Sequence, residues 1–119
     1  MTTPLVLYIG KDLILSGPIR QAAQASGWPF RQSEDLSTLP EECDPLVVVA
    51  DLGALKERAE LLGQSARLRP GKTFLAGIAF HTDTESHERA TRAHFDRVIH
   101  RSRLGPDLKD LLDAILAGR

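Results

Sequence analysis

The chain has 119 residues, 42% of them hydrophobic, which suffices for one sizeable core and not for two. Fifteen basic against sixteen acidic side chains leave a net charge of −1, so no global field draws the chain to nucleic acid or to an acidic membrane. The lone Cys43, set between Glu42 and Asp44, has no internal disulfide partner and no activating neighbour; with no basic-then-apolar leader and no bilayer-length apolar run, a cytoplasmic protein without membrane contact is expected.

Leu5-Val6-Leu7-Tyr8-Ile9 is an apolar run closed by Gly10 and predicts the first strand. From Asp12 to Ser26 the pattern is helical, with Leu13, Ile19, Ala22 and Ala23 able to share a face and Gly27 as a stop. Pro18 lies deep in that span, so the helix either begins near Ser16-Gly17 or kinks there; the later start is the expectation. Trp28-Pro29-Phe30-Arg31-Gln32 predicts a short strand at the sheet edge, because proline and polar residues suit an edge. Ser33 to Asp44, with Asp35, Ser37 and Pro40, permits a short or irregular helix at most.

Leu46-Val47-Val48-Val49-Ala50-Asp51 is apolar until its last residue, which predicts a central strand buried on both faces. Asp51 then stands at the strand's carboxyl end, where ligands gather in open α/β sheets, although such an Asp is also a common helix or turn cap. Ala54 to Leu68 carries Leu55, Ala59, Leu62 and Ala66 at helical spacing, ended by Pro70-Gly71. Thr73 to Phe80 is another buried strand, and its small Ala76, Gly77 and Ala79 predict a closely packed helix. Ser86 to His94 is a polar helix and Arg97 to His100 a fifth strand. Gly105-Pro106-Asp107 opens a last helix with Leu108, Leu111, Leu112 and Ile115 buried and Gly118 closing it. This alternation predicts one domain over residues 1–119: a flavodoxin-like, three-layer α/β/α sandwich around a five-stranded parallel sheet of order 2-1-3-4-5.

With the strands placed, the chain resembles the receiver domain of bacterial two-component response regulators along its whole length. Leu5 to Trp28 follows the opening strand and helix, Ala79 to Arg101 matches without a gap, and Ala90, Val98, Ile99 and Leu108 fall at the family's apolar positions. The resemblance implies that Asp51 stands at the phospho-acceptor position. It also implies an acidic pair after strand one that holds Mg²⁺, but the matching residues are Ile9 and Gly10, or Gly10 and Lys11 in the adjacent register. The switch hydroxyl is replaced by Ala79, with Thr82 three positions late; the lysine after strand five is Arg101, and Ser102 replaces the proline behind it, so no cis bond is expected there. A degenerate, or pseudo-, receiver is the expected class.

Asp12, Asp51, His81, Arg101, Ser102 and Arg103 all follow strands of one parallel layer and form the candidate pocket. Arg101 is expected to compensate Asp51 in place of a metal, at a stability cost for Asp51→Ala of about 3–5 kcal/mol if the pair is buried and far less if exposed. His81 either joins an anion pocket with Arg101, Ser102 and Arg103 or is an ordinary loop histidine. The four histidines lack a compact ligand spacing, and His87 and His94 are two helical turns apart, so neither metal nor other cofactor is expected. The arginines at 89, 92, 97, 101 and 103 alternate with Glu85, Glu88 and Asp96, which reads as a solvated face and not a nucleic-acid surface. Gly10-Lys11-Asp12 is no phosphate loop, and Ser102 with His81 and Asp51 lacks the sharp turn of a nucleophilic serine.

The expected function is a non-enzymatic signalling or scaffold module that binds another signalling protein. By the resemblance, helix four, strand five and helix five, about residues 85–94, 97–100 and 108–117, would carry those contacts or a homodimer. No output domain follows Arg119, so any effect is expected through a separate chain. The alternatives are an anion or small-molecule sensor, or minor enzyme, using Asp51, His81 and Arg101, and an atypical phosphorylatable response regulator.

Overall fold

The computed structural model describes residues 3–36 and 38–118, so Ser37 and Arg119, named above, lie outside the described residues. Five strands, β1 (Thr3–Ile9), β2 (Phe30–Ser33), β3 (Cys43–Asp51), β4 (Thr73–Ala79) and β5 (Arg97–His100), form one sheet ordered β2-β1-β3-β4-β5. Every adjacent pair is parallel, with Tyr8 opposite Val49 and Val49 opposite Ala76. The helices are α1 (Leu13–Ala25), α2 (Leu52–Leu55), α3 (Arg58–Leu68), α4 (Thr84–Arg92) and α5 (Leu104–Ala117), the last entered through a 3₁₀ turn at Arg101–Arg103.

Alternation along the strands separates two cores. Val6, Tyr8, Val47, Val49, Ile78 and Ile99 face α1 and α5, whose Leu15, Ile19, Leu108 and Leu112 cover them. Leu5, Leu7, Ile9, Leu46, Val48 and Ala50 face the other way, against Leu52, Leu55, Ala59 and Leu62 of α2 and α3 and Ala90 of α4. The sandwich, sheet order and fifth strand stand as expected. Gly77 fulfils its predicted role: a Cβ there would lie 2.5 Å from Leu52 Cδ1, so α2 presses directly on β4.

Three local expectations are corrected. The first helix begins at Leu13 and contains Pro18, because Asp12 caps it by accepting the Ile14 amide at 2.8 Å and Leu15 is buried in its first turn. The hydrogen bond that Pro18 forfeits would have gone to Ile14, an exposed residue whose carbonyl water can serve. Between β2 and β3, where a short or irregular helix at most was expected, the described residues form no helix, and buried Leu36 and Leu39 seal the core from irregular backbone. The central strand starts at Cys43, three residues before Leu46, through a cis Asp44–Pro45 bond.

The single helix expected over 54–68 is two, broken where Lys56 takes φ 53°. Arg58 stabilises the break, donating from Nη2 to the Ala54 carbonyl at 3.1 Å and from Nε to that of Leu55 at 3.4 Å. No helix of the described residues is long and apolar enough to cross a membrane.

Candidate functional site

Parallel strands bring the ends of β1, β3, β4 and β5 to one edge, and Asp51 closes the middle one. Its two oxygens have separate tasks. Oδ1 accepts the Gly53 amide at 3.0 Å, which caps α2, and Oδ2 accepts from Arg101 Nη1 at 3.3 Å. Arg101 Nη2 also lies 3.9 Å from Asp12 Oδ2, so one guanidinium spans both acids. Phe80 stacks on it, its ring centroid 5.1 Å from Cζ. The Asp51 and Arg101 side chains are 20% and 27% exposed, which makes this a partly wet pair and sets aside the fully buried case.

Beneath the acids lies Tyr8, fully buried, its hydroxyl donating to the Asp12 carbonyl at 3.5 Å. Burial pushes the Tyr8 phenol above its ordinary range, and the neighbouring charges of Asp12 and Asp51 act in the same direction. The ring passes under Gly10, where a Cβ would sit 2.7 Å from the Tyr8 oxygen and 2.8 Å from Cζ, at φ +154°. Any side chain at position 10, an acid included, therefore collides with Tyr8. The residues present do not fit the Mg²⁺ site that the family resemblance implies: Ile9 and Gly10 carry no ligand, and Asp12 and Asp51 already share a cation. Among the described residues no group of three His, Cys, Asp or Glu is placed to hold a metal ion.

The six candidate residues do not share one pocket. Asp12 and Asp51 line a cavity of about 270 Å³ together with Tyr8, Gly10, Lys11 and Arg58, on the β1 side of Arg101. His81 and Ser102 border a different depression with Phe80, His100 and Arg101. No residue lines both, and Arg101 and Phe80 belong to the second. Arg103 turns to Asp107, 3.2 Å away at the start of α5, and leaves the site. His81 does not line Asp51's cavity; its ring stands 5.8 Å from that of His100, and the His87 ring is 5.9 Å from that of His100. Neither this trio nor the Tyr8–Gly10 contact was anticipated. Only the run of apolar residues ending in Tyr8-Ile9-Gly10 carries a trace of the latter.

The layers and strand order define a receiver-like, flavodoxin-like fold. No family model matches the chain, and no curated protein matches it. Solved structures do resemble it. A response regulator receiver protein from Burkholderia phymatum aligns with TM-score 0.59 at 17% identity over 83% of each chain. A CheY-like response regulator from Mesorhizobium loti aligns with TM-score 0.68 at 18% identity over 100% of each chain. A protein described as an adenylate cyclase, from Rhodopirellula baltica, aligns with TM-score 0.59 at 14% identity over 98% of this chain and 96% of that one. The receiver-like fold expected from the sequence is thereby established.

Proposed function

We propose that this chain is a pseudo-receiver, a non-enzymatic signalling or scaffold module that is not phosphorylated by the Mg²⁺-dependent route. The observation that carries this reading is Arg101, with Nη1 3.3 Å from Asp51 and Nη2 3.9 Å from Asp12. A guanidinium is charged at every working pH and presents a fixed fork, so it neutralises the strand-ending acid permanently where a divalent ion would do so reversibly. Gly10, held bare by Tyr8, supports the same reading from the other side of the site. The module acts in the cytoplasm on another signalling protein, with α4, β5 and α5 as the docking or homodimer face that the family resemblance suggests. Nucleic acid, membrane and cofactors have no part in this role. The sensor alternative loses ground, since Asp51 and His81 open into separate depressions.

The test is to incubate the chain with a small phosphodonor and Mg²⁺, and separately with beryllofluoride and Mg²⁺, following intact mass and backbone NMR. The expected result is no added phosphoryl mass and no shift of Gly53, Ala79 or Arg101 amides. A stable adduct on Asp51 would reinstate the phosphorylatable alternative.

A further inference from the structure

The amino-terminal edge of the sheet, opposite Asp51, holds a second arginine in an unusual setting. Arg69 is 8% exposed and forms no ion pair with any described residue. Its Nε donates to the Pro40 carbonyl at 2.6 Å, and its Nη1 donates to the Lys72 carbonyl at 3.2 Å and to Thr73 Oγ1 at 3.0 Å. Nη2 is buried and has no hydrogen-bond partner among the described residues. A guanidinium cannot shed its charge as a buried lysine can, and the Asp44 carboxylate, which flanks Gly71 beside Nη1, makes no ion pair with it, so no anion among the described residues is in direct contact with Arg69.

Arg69 borders a cavity of about 280 Å³ whose wall also contains Arg67, Thr73, Ala93, His94 and Asp96. Asp96 is the acid in that wall, and its Oδ2 is already committed to the Leu75 amide at 2.7 Å. Exposed Arg67 and His94 are in no ion pair with a described residue. We infer that this cavity binds a small oxyanion, gripped by Arg67 and His94 and compensated from behind by Arg69. The planar fork of Arg67 matches the oxygens of inorganic phosphate or of a small carboxylate. Because its wall joins the end of α3 to the turn between α4 and β5, an occupant ties those two elements together.

The full-length chain is titrated with inorganic phosphate, and separately with malonate, at ionic strength held constant with sodium chloride, following thermal midpoint and backbone NMR. Saturable stabilisation by one of the two is expected, with amide shifts centred on Gly63 to Thr73 and Ala93 to Asp96; the more effective anion identifies the class. Arg67→Ala combined with His94→Ala leaves the Arg69 hydrogen bonds in place and is expected to weaken binding about tenfold or more. A response equal to that of chloride, shifts centred on Arg101, or unchanged affinity in the double variant would each overturn the site.

Discussion

Arg101 and Arg69 stand at opposite edges of one sheet, and the chain treats them in opposite ways. Arg101 lies at the carboxyl edge, about a quarter exposed, between two carboxylates and under an aromatic ring. Arg69 lies at the amino edge, nearly buried, and meets carbonyl and hydroxyl oxygens with no carboxylate. A partly exposed ion pair contributes modestly to stability because water competes for both partners, whereas loss of a buried donor strands every acceptor it served. The carboxyl edge therefore holds the energetically modest arginine, and the amino edge holds the structural one.

The sharpest way to break that contrast is Arg69→Ala, which leaves the Pro40 and Lys72 carbonyls and Thr73 Oγ1 without their donor. A destabilisation of about 2–3 kcal/mol is expected from the urea midpoint, against about 1 kcal/mol of pairing energy at Arg101. Similar costs at both arginines would erase the distinction. Next in size is Gly10→Asp, which places the acid missing from the receiver pattern directly over Tyr8. It is expected to cost about 2 kcal/mol through overpacking and backbone strain. In a Tyr8→Leu background, where the phenol is gone, the added cost should shrink, and equal costs in both backgrounds would show that Tyr8 is not what keeps position 10 bare.

What the sequence revealed about these edges follows a physical division. Strand cores, the order of the sheet and the meeting of Asp51 with Arg101 were legible because each depends on a run of apolar residues and on where a parallel strand ends. The break at Lys56 was not, since Leu55, Ala59, Leu62 and Ala66 keep helical spacing across it and only Arg58 folding back on two carbonyls makes it tolerable. Leu36 and Leu39 similarly do a helix's work of covering the core without a helix's periodicity. Pro18 misled because local propensity weighs against it, while Asp12 and Leu15 fix the helix start from either side. Phe80 stacked on Arg101 and Arg69 as a clamp depend on contacts across long sequence separations, for which a single sequence holds no signal.

Asp51 offers a finer cut, because capping and pairing use different oxygens. Asp51→Ala removes both and is expected to cost about 1–2 kcal/mol, less than a buried pair would require. Asp51→Asn retains an acceptor for the Gly53 amide and drops only the charge, so it should cost less than about 1 kcal/mol. If the two variants were equally destabilised, the acid would matter through Arg101 and not through the cap, and the carboxyl edge would resemble the buried one more than its exposure suggests.

The smallest effect at neutral pH, and the most selective probe of the carboxyl edge, comes from Tyr8. It is the chain's single tyrosine, so phenolate absorbance reports it alone. Burial raises its pKa in the folded state above the unfolded value of 10.0, which means that the unfolded chain loses this proton first as pH rises. The associated stability is whole below that value and is lost as pH climbs through it toward the folded pKa. Lys109, whose pKa the hydrogen bond and charge of Asp113 raise, loses its stabilising contribution over the neighbouring alkaline range, so Lys109→Gln is the matched control. Tyr8→Phe should flatten part of the alkaline limb of a stability-against-pH curve while leaving the acid limb unchanged. An ordinary phenol titration in the folded chain would mean that water reaches the floor of the site beneath the two acids.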